Sequence, residues 1–392
     1  MNNLLIIYAR NNSELLNRKS AIGSYIHCLA KLLESDFDNV FLNGMKIKDQ
    51  KVIEPGSTQI NSNFIKKKLS QLIPKSSKLR RSENFLIEQH KLILDEVVNL
   101  KEPFNHILEF YTIGSNVGLK LKSILNSRLS VVYDGPSIEE YVFFNGRKPI
   151  NYKTFLENER MTLQAASRIN CYSGPVKSHI VEEFDVSAEK ITVHQNIDFT
   201  RFESDEPSKI NDTVNICFIG SFLHWHRVDL LIHAFDKLLN ENSVNADLYL
   251  IGDGILKSKM EKEAKTLNTS NRIHFTGYLD GKELYNLKKQ MHIGIMPGSN
   301  WYGAPNKIFE YGGMGMACMA PSTPTIDYIF NDQEIVFFEL DNFESFFKEL
   351  KTLVTSEEKI NSMSKGLKSK IESDYGPEQT RNYYRRMLLE DE

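Results

Sequence analysis

In the second half of the chain, short apolar runs alternate with amphipathic stretches. Val214–Ser221 (VNICFIGS) is continuous, rich in apolar residues and ended by Gly-Ser, which predicts a strand buried on both faces. Val228–Asn240 then places Leu230, Leu231, Ala234, Leu238 and Leu239 at helical spacing, with Asp229 in the first turn where the helix dipole favours an anion. The cycle repeats: strand Ala246–Ile251, helix Leu256–Leu267, strand Ile273–Phe275, helix Lys282–Lys289, strand Ile293–Met296, helix Pro305–Tyr311. Strands regularly separated by helices predict a doubly wound parallel α/β sheet.

The first half follows the same logic with longer interruptions. It predicts strand Leu4–Tyr8, a helix from about Ile22 to Leu33 entered through Gly23, strands near His106–Phe110 and Leu129–Tyr133, and a helix near Leu156–Ala166. The polar stretch Asp198–Asp212 (DFTRFESDEPSKIND) separates the two βα series as a linker. After Asp374 a last amphipathic helix begins at Pro377. The expected organisation is an N-terminal domain over 1–205, a C-terminal domain over 206–374 and a terminal helix over 375–392 that crosses back to the N-terminal domain.

A chain of 392 residues exceeds one ordinary core, in keeping with two domains. Its formal charge of -3 gives no electrostatic case for nucleic acid. Four scattered cysteines, Cys28, Cys171, Cys217 and Cys318, form no C-x-x-C pair, so neither a zinc site nor a disulfide framework is expected and a reducing cytoplasm fits. The opening MNNLLIIYAR reaches an arginine too soon for a signal sequence, and no stretch has transmembrane length.

Candidate chemistry gathers in the second half. Gly220-Ser221, Gly252-Asp253-Gly254 and Gly298 through Pro305 each place small residues just after a predicted strand, where N–H groups can receive a phosphate or a sugar hydroxyl. In an open α/β sheet all three loops face the crevice at the strand carboxyl ends. The densest signal is Tyr302–Ser322 (YGAPNKIFEYGGMGMACMAPS): Pro305 suits a helix start, and Lys307 and Glu310 lie one turn apart on one face.

That stretch resembles the donor-binding segment of the family-4 glycosyltransferases, which in one subgroup reads roughly Pro-x-Lys-x-x-Glu-Tyr-x-Ala-x-Gly-x-Pro. ICFIGSFLHWHRVDLL, LYLIGDG and FTGYLDGKELYNL resemble the family's preceding C-terminal elements, SAIGSYIHCLAKLL its opening Gly-rich turn and helix, and ITVHQNIDFTRF the close of its first domain. The resemblance implies the GT-B fold, two facing Rossmann-like doubly wound domains with a deep interdomain cleft. It also implies a nucleoside-diphosphate sugar as donor, retaining transfer, no metal ion and no other cofactor.

Carried over by position, Glu310 matches the glutamate that holds the donor ribose, and a carboxylate is an apt acceptor for two adjacent hydroxyls. Three positions depart from the pattern: Tyr302 stands where the first glutamate of the family's Glu pair lies, Ser221 where an arginine is usual, and His226 where a lysine is usual. A departing diphosphate still needs positive charge, which Lys307 and Arg227 are expected to supply, with His226 contributing if protonated. Gly220, Ser221, His226, Gly252, Tyr302, Gly303, Ala304, Pro305, Asn306 and Glu310 form the expected donor site, with Tyr278 and Leu279 flanking the nucleobase.

On the acceptor side the expected residues are Gly23, Glu140 and Asp134, the last as general base. The acceptor implied is a glycan or a lipid-linked glycan, as in cell-surface polysaccharide synthesis. Asn63–Arg81 carries seven Lys or Arg and no acid, a pattern suited to peripheral contact with an anionic membrane from the cytoplasmic side, or simply to a solvated loop. Two other readings stay open: a nucleotide-sugar epimerase of the same fold, and a non-catalytic relative that binds a partner or glycan, suggested by the changes at Tyr302, Ser221 and His226.

Overall fold

The computed structural model describes residues 2–10, 15, 21–47, 75–199, 209–279 and 281–390. They form two compact units: Met1–Tyr172 with Val176–His194 and Arg381–Glu392, and Ser173–Pro175 with Gln195–Thr380.

The N-terminal unit carries strands β1 (Asn3–Tyr8), β2 (Asn39–Leu42), β3 (Met45–Lys46), β4 (His106–Phe110), β5 (Arg128–Tyr133), β6 (Arg168–Cys171) and β7 (Ile191–Val193) in the order β3-β2-β1-β4-β5-β6-β7. All neighbours are parallel except the β2–β3 hairpin. Its helices are α1 (Ala21–Leu33), α2 (Lys75–Asn99), α3 (Val117–Leu125), α4 (Ser137–Asn145), α5 (Tyr152–Ala165) and α6 (Gly174–Phe184). β1 is buried along its whole length, as its unbroken apolar sequence requires. The long helix α2 had no clear periodic signal. One buried residue, Glu83, ties it down by accepting from Tyr141 Oη, the main-chain N–H groups of Ile150 and Asn151, and Asn151 Nδ2, at 2.8–3.0 Å. The basic stretch Asn63–Arg81 lies largely outside the described residues, of which Arg80 and Arg81 are exposed.

The C-terminal unit carries β8 (Val214–Ile219), β9 (Ala246–Ile251), β10 (Ile273–Gly277), β11 (Ile293–Ile295), β12 (Ala317–Ser322) and β13 (Val336–Glu339), all parallel, in the order β10-β9-β8-β11-β12-β13. Its helices are α7 (Val228–Glu241), α8 (Lys257–Ala264), α9 (Gly281–Lys288), α10 (Asn306–Gly313), α11 (Pro324–Ile329), α12 (Phe343–Val354) and α13 (Glu357–Tyr375). Successive strand residues feed opposite faces: Ile216, Phe218, Leu248 and Leu250 enter one core cluster, while Cys217, Ile251, Cys318 and Ala320 enter another. This is why the strands read as continuous apolar runs.

The last helix, α14 (Pro377–Leu389), buries Tyr384, Met387 and Leu388 among Tyr8, Tyr25, Leu29 and Phe110 of the N-terminal unit. Its residues are held there by Tyr25 Oη to Tyr384 Oη at 3.2 Å and by Arg381 on Asp36 at 2.8 and 2.9 Å.

Glu109, at the carboxyl end of β4, is wholly buried and takes a bond from Ser115 Oγ at 2.5 Å. Burial raises its pKa from 4.5 to about 7, so the folded protein holds this proton more tightly than the unfolded chain does. Its contribution is therefore fully present below about pH 4.5 and lost as pH rises through about 7, by up to roughly 3 kcal/mol. Glu109→Gln should resemble the wild type at pH 5 and exceed it in denaturant stability at pH 8. Parallel stability curves for the two proteins would show that Glu109 is not protonated in the native state.

Candidate functional site

The strand order reverses between β8 and β11, which are paired only through Ile293 with Ile216 and Gly294 with Cys217. Beyond these pairs Tyr311, fully buried on α10, inserts its hydroxyl: the Ile219 N–H donates to it at 3.0 Å and it donates to the Ile295 carbonyl at 3.3 Å. Gly294 makes room, since a Cβ there would lie 2.2 Å from the Tyr311 ring. Tyr311 thus fixes the register of α10 at the switch point and, with it, the positions of Lys307 and Glu310.

The turns after the strands lock together. Gly220 N donates to Ile251 O, Gly252 N to Gly277 O and Phe222 N to Asp253 O, each at 2.9 Å. Gly252, at φ +133°, presses so closely that a Cβ would fall 2.0 Å from the Gly220 carbonyl. Gly254 and Gly298 meet Phe222 and Trp225 main-chain atoms in the same way. The three glycine turns expected to face one crevice do lie together at the strand carboxyl ends.

Lys307 crosses Gly220, where a Cβ would lie 2.6 Å from its Cε. Its ammonium lies 3.1 Å from His226 Nε2 and 5.9 Å from the Phe218 ring centre. His226 Nδ1 is 2.5 Å from the Ser221 carbonyl, which only accepts, so Nδ1 carries the hydrogen and Nε2 accepts from Lys307. Desolvation first, and Lys307 second, lower the His226 pKa to about 4. The imidazole is therefore neutral near pH 7 and orients the cation, so the condition on which His226 was expected to contribute charge is not met. Lys307 has a partly accessible stem, but its ammonium is enclosed, and desolvation, opposed by Glu310, lowers its pKa to about 8. It remains charged at pH 7.

Arg227 occupies a left-handed conformation at the start of α7, φ +47°. Its guanidinium is already taken by Asp341 and, at 3.3 Å, by Asp229. Glu310 accepts from Lys288 Nζ at 2.8 Å, with the two side chains 12% and 2% exposed. Lys288 and Asp341 were not singled out in the sequence; in the run LKKQ a lysine reads as helix surface, and only the fold shows it turned inward.

Pro305 precedes α10, whose first residue is Asn306, exposed at the helix start. Tyr302 is buried, edge-on to Trp301 at 5.3 Å, and the Gly303 main chain packs against Asn300 and Ser299. Ala304 is partly buried in the same loop. Tyr278 stands exposed after β10, while Leu279 packs against the core around Ile251 and Tyr311.

The acceptor-side candidates sit on the N-terminal unit. Asp134 follows β5 and accepts from Tyr172 Oη; protein around the carboxyl raises its pKa, although its open outer surface limits that rise. Glu140 lies in the first turn of α4. Gly23 is within the first turn of α1 rather than in a turn ahead of it.

Residues 200–370 match the family model described as glycosyl transferases group 1. An uncharacterized glycosyltransferase of Methanocaldococcus jannaschii is 24% identical over 145 residues, 37% of this chain and 33% of that protein, so the match spans about a third of the relative's length. Two solved structures share the fold nearly end to end. Anabaena HepE in complex with UDP has a TM-score of 0.67 at 12% identity, covering 98% of each chain. Sucrose-phosphate synthase of Thermosynechococcus elongatus has a TM-score of 0.69 at 14% identity, covering 99% of each chain. The fold is α/β with two Rossmann-like, largely parallel sheets, as the sequence led us to expect.

Tyr311→Phe should leave the Ile219 N–H without its acceptor at the switch point, costing about 1–3 kcal/mol in urea unfolding. A variant as stable as the wild type would show that Tyr311 does not bridge β8 and β11.

Proposed function

We propose that this chain is a glycosyltransferase that moves a sugar from a nucleoside-diphosphate sugar to a hydroxyl of a glycan or lipid-linked glycan, with retained stereochemistry and without a metal ion. The observation that carries the reading is the meeting of Lys307, oriented by neutral His226, with Glu310 at a switch point ringed by interlocked glycine turns. The match to group 1 glycosyl transferases supports it. HepE was solved with UDP, which makes UDP the first nucleotide to try.

Cleaving the bond between the anomeric carbon and the diphosphate leaves negative charge on the departing oxygen. Lys307 is the cation available to neutralise it, and its preset position avoids reorganisation during the reaction. Arg227, held by Asp229 and Asp341, is assigned to hold the loop instead. Glu310 receives the ribose hydroxyls, Tyr278 and Leu279 flank the base, and Tyr302 with Gly303 through Asn306 shapes the sugar side. For the acceptor the proposal assigns Asp134, with Glu140 nearby in sequence, as the group that takes up the hydroxyl proton; a raised pKa makes it a stronger base. We place the protein in the cytoplasm and extend the reading to peripheral contact with anionic lipid through Asn63–Arg81.

Thermal-shift binding of UDP, GDP and ADP and their sugars tests the donor site; a ligand at about 100 times its Kd stabilises by about 2.7 kcal/mol. One nucleotide should stabilise the wild type, Glu310→Ala should abolish the shift and EDTA should leave it unchanged. If none binds, the non-catalytic reading takes over.

Because Lys307 loses its proton near pH 8, diphosphate affinity should fall as pH rises through about 8. Lys307→Arg should keep its affinity to higher pH, and Lys307→Met should bind weakly at every pH. A wild-type affinity that stays level from pH 7 to 9 would remove Lys307 from the diphosphate contact.

A further inference from the structure

A lysine is almost never fully buried unless paired, and Lys288, the last residue of α9, is 2% exposed. Its ammonium donates to Glu310 Oε1 at 2.8 Å, and the carboxylate is itself only 12% exposed. Burial raises the pKa of the Cys217 thiol on β8, with Glu310 adding to the rise and Lys288 opposing it. The pair is thus held within the unit rather than on its outer surface.

An ion pair this buried is poor value as a staple, since desolving both charges offsets much of their attraction and apolar side chains of similar volume would pack as well. What it does supply is direction. A carboxylate has about four acceptor positions, and the bond from Lys288 at one oxygen fixes the plane in which further donors are received. Lys288 also comes from the helix that follows the Tyr278–Leu279 loop, so it links that loop to α10.

We infer that Lys288 is a positioning residue that holds the Glu310 carboxylate aimed to accept a vicinal diol, and thereby makes the site select ribonucleotides over nucleotides lacking ribose hydroxyls. The inference rests on the nucleotide-binding reading above. It deepens that reading, because a carboxylate held in one orientation can receive both hydroxyls of a vicinal diol at once.

The test is the affinity of whichever of UDP, GDP and ADP stabilises the wild type most, against its 2′,3′-dideoxy counterpart, by calorimetry. The wild type should prefer the ribonucleotide by about tenfold or more, as two hydrogen bonds to a charged acceptor imply. Lys288→Met should bring ribonucleotide affinity down to the dideoxy level without changing dideoxy affinity, and Lys288→Arg should keep most of the preference. Lys288→Gln, which retains a neutral donor and is the variant to use if Lys288→Met does not fold, should show a reduced preference. A Lys288→Met or Lys288→Gln protein with the full wild-type preference, or one that loses both ligands equally, would overturn the positioning role. A wild type that binds the two ligands alike would instead sink the ribose assignment of Glu310 on which the inference depends.

Discussion

The candidate site hangs on the Tyr311 hydroxyl at the point where two strands part. Parallel strands β8 and β11 share only two residue pairs before the chain directions of their connections diverge, and beyond them main-chain groups need another partner. A side chain from α10 supplies it, bonding Ile219 on one strand and Ile295 on the other. Gly294 is the sequence cost of that insertion. Because Glu310 adjoins Tyr311 and Lys307 lies one turn earlier, the same bonds that close the sheet also set the polar face of the helix.

The charges around that face divide by burial rather than by residue type. His226 stays neutral because it is desolvated beside a cation, and it passes its orientation from the Ser221 carbonyl to Lys307. Arg227, the strongest base in the loop, is committed to Asp229 and Asp341. The second lysine, Lys288, is committed to Glu310. Lys307 is bonded to an imidazole rather than to a carboxylate, and burial makes its proton easier to lose than that of an ordinary lysine.

The second half was legible in the sequence because strands buried on both faces read as unbroken apolar runs: β9 was placed to the residue and β8 and α7 to within two. The first half was less so. β2 and β3 are short, and α2 carries Glu83 and His90 among its buried positions, which breaks the apolar stripe that would have announced it. Within the site, spacing made legible that Lys307 and Glu310 share a helix face and that glycine turns follow the strands, whereas the roles expected of the two residues came from the family resemblance. Lys288 and Asp341 were not, because a charged residue paired across the fold leaves no local mark. His226 was legible as a position but not as a protonation state, which depends on packing.

The glycine turns have one more consequence. Gly252 touches the Gly220 carbonyl, Gly220 touches the stem of Lys307, and Gly254 touches the main chain of Phe222. A side chain added at any of them displaces the backbone or cation belonging to another. The interlocked turns therefore cannot drift one loop at a time: they are inherited whole or lost whole. Variation has to enter at the margins, as at the exposed Tyr278, where new side chains can be tried without moving the scaffold beneath.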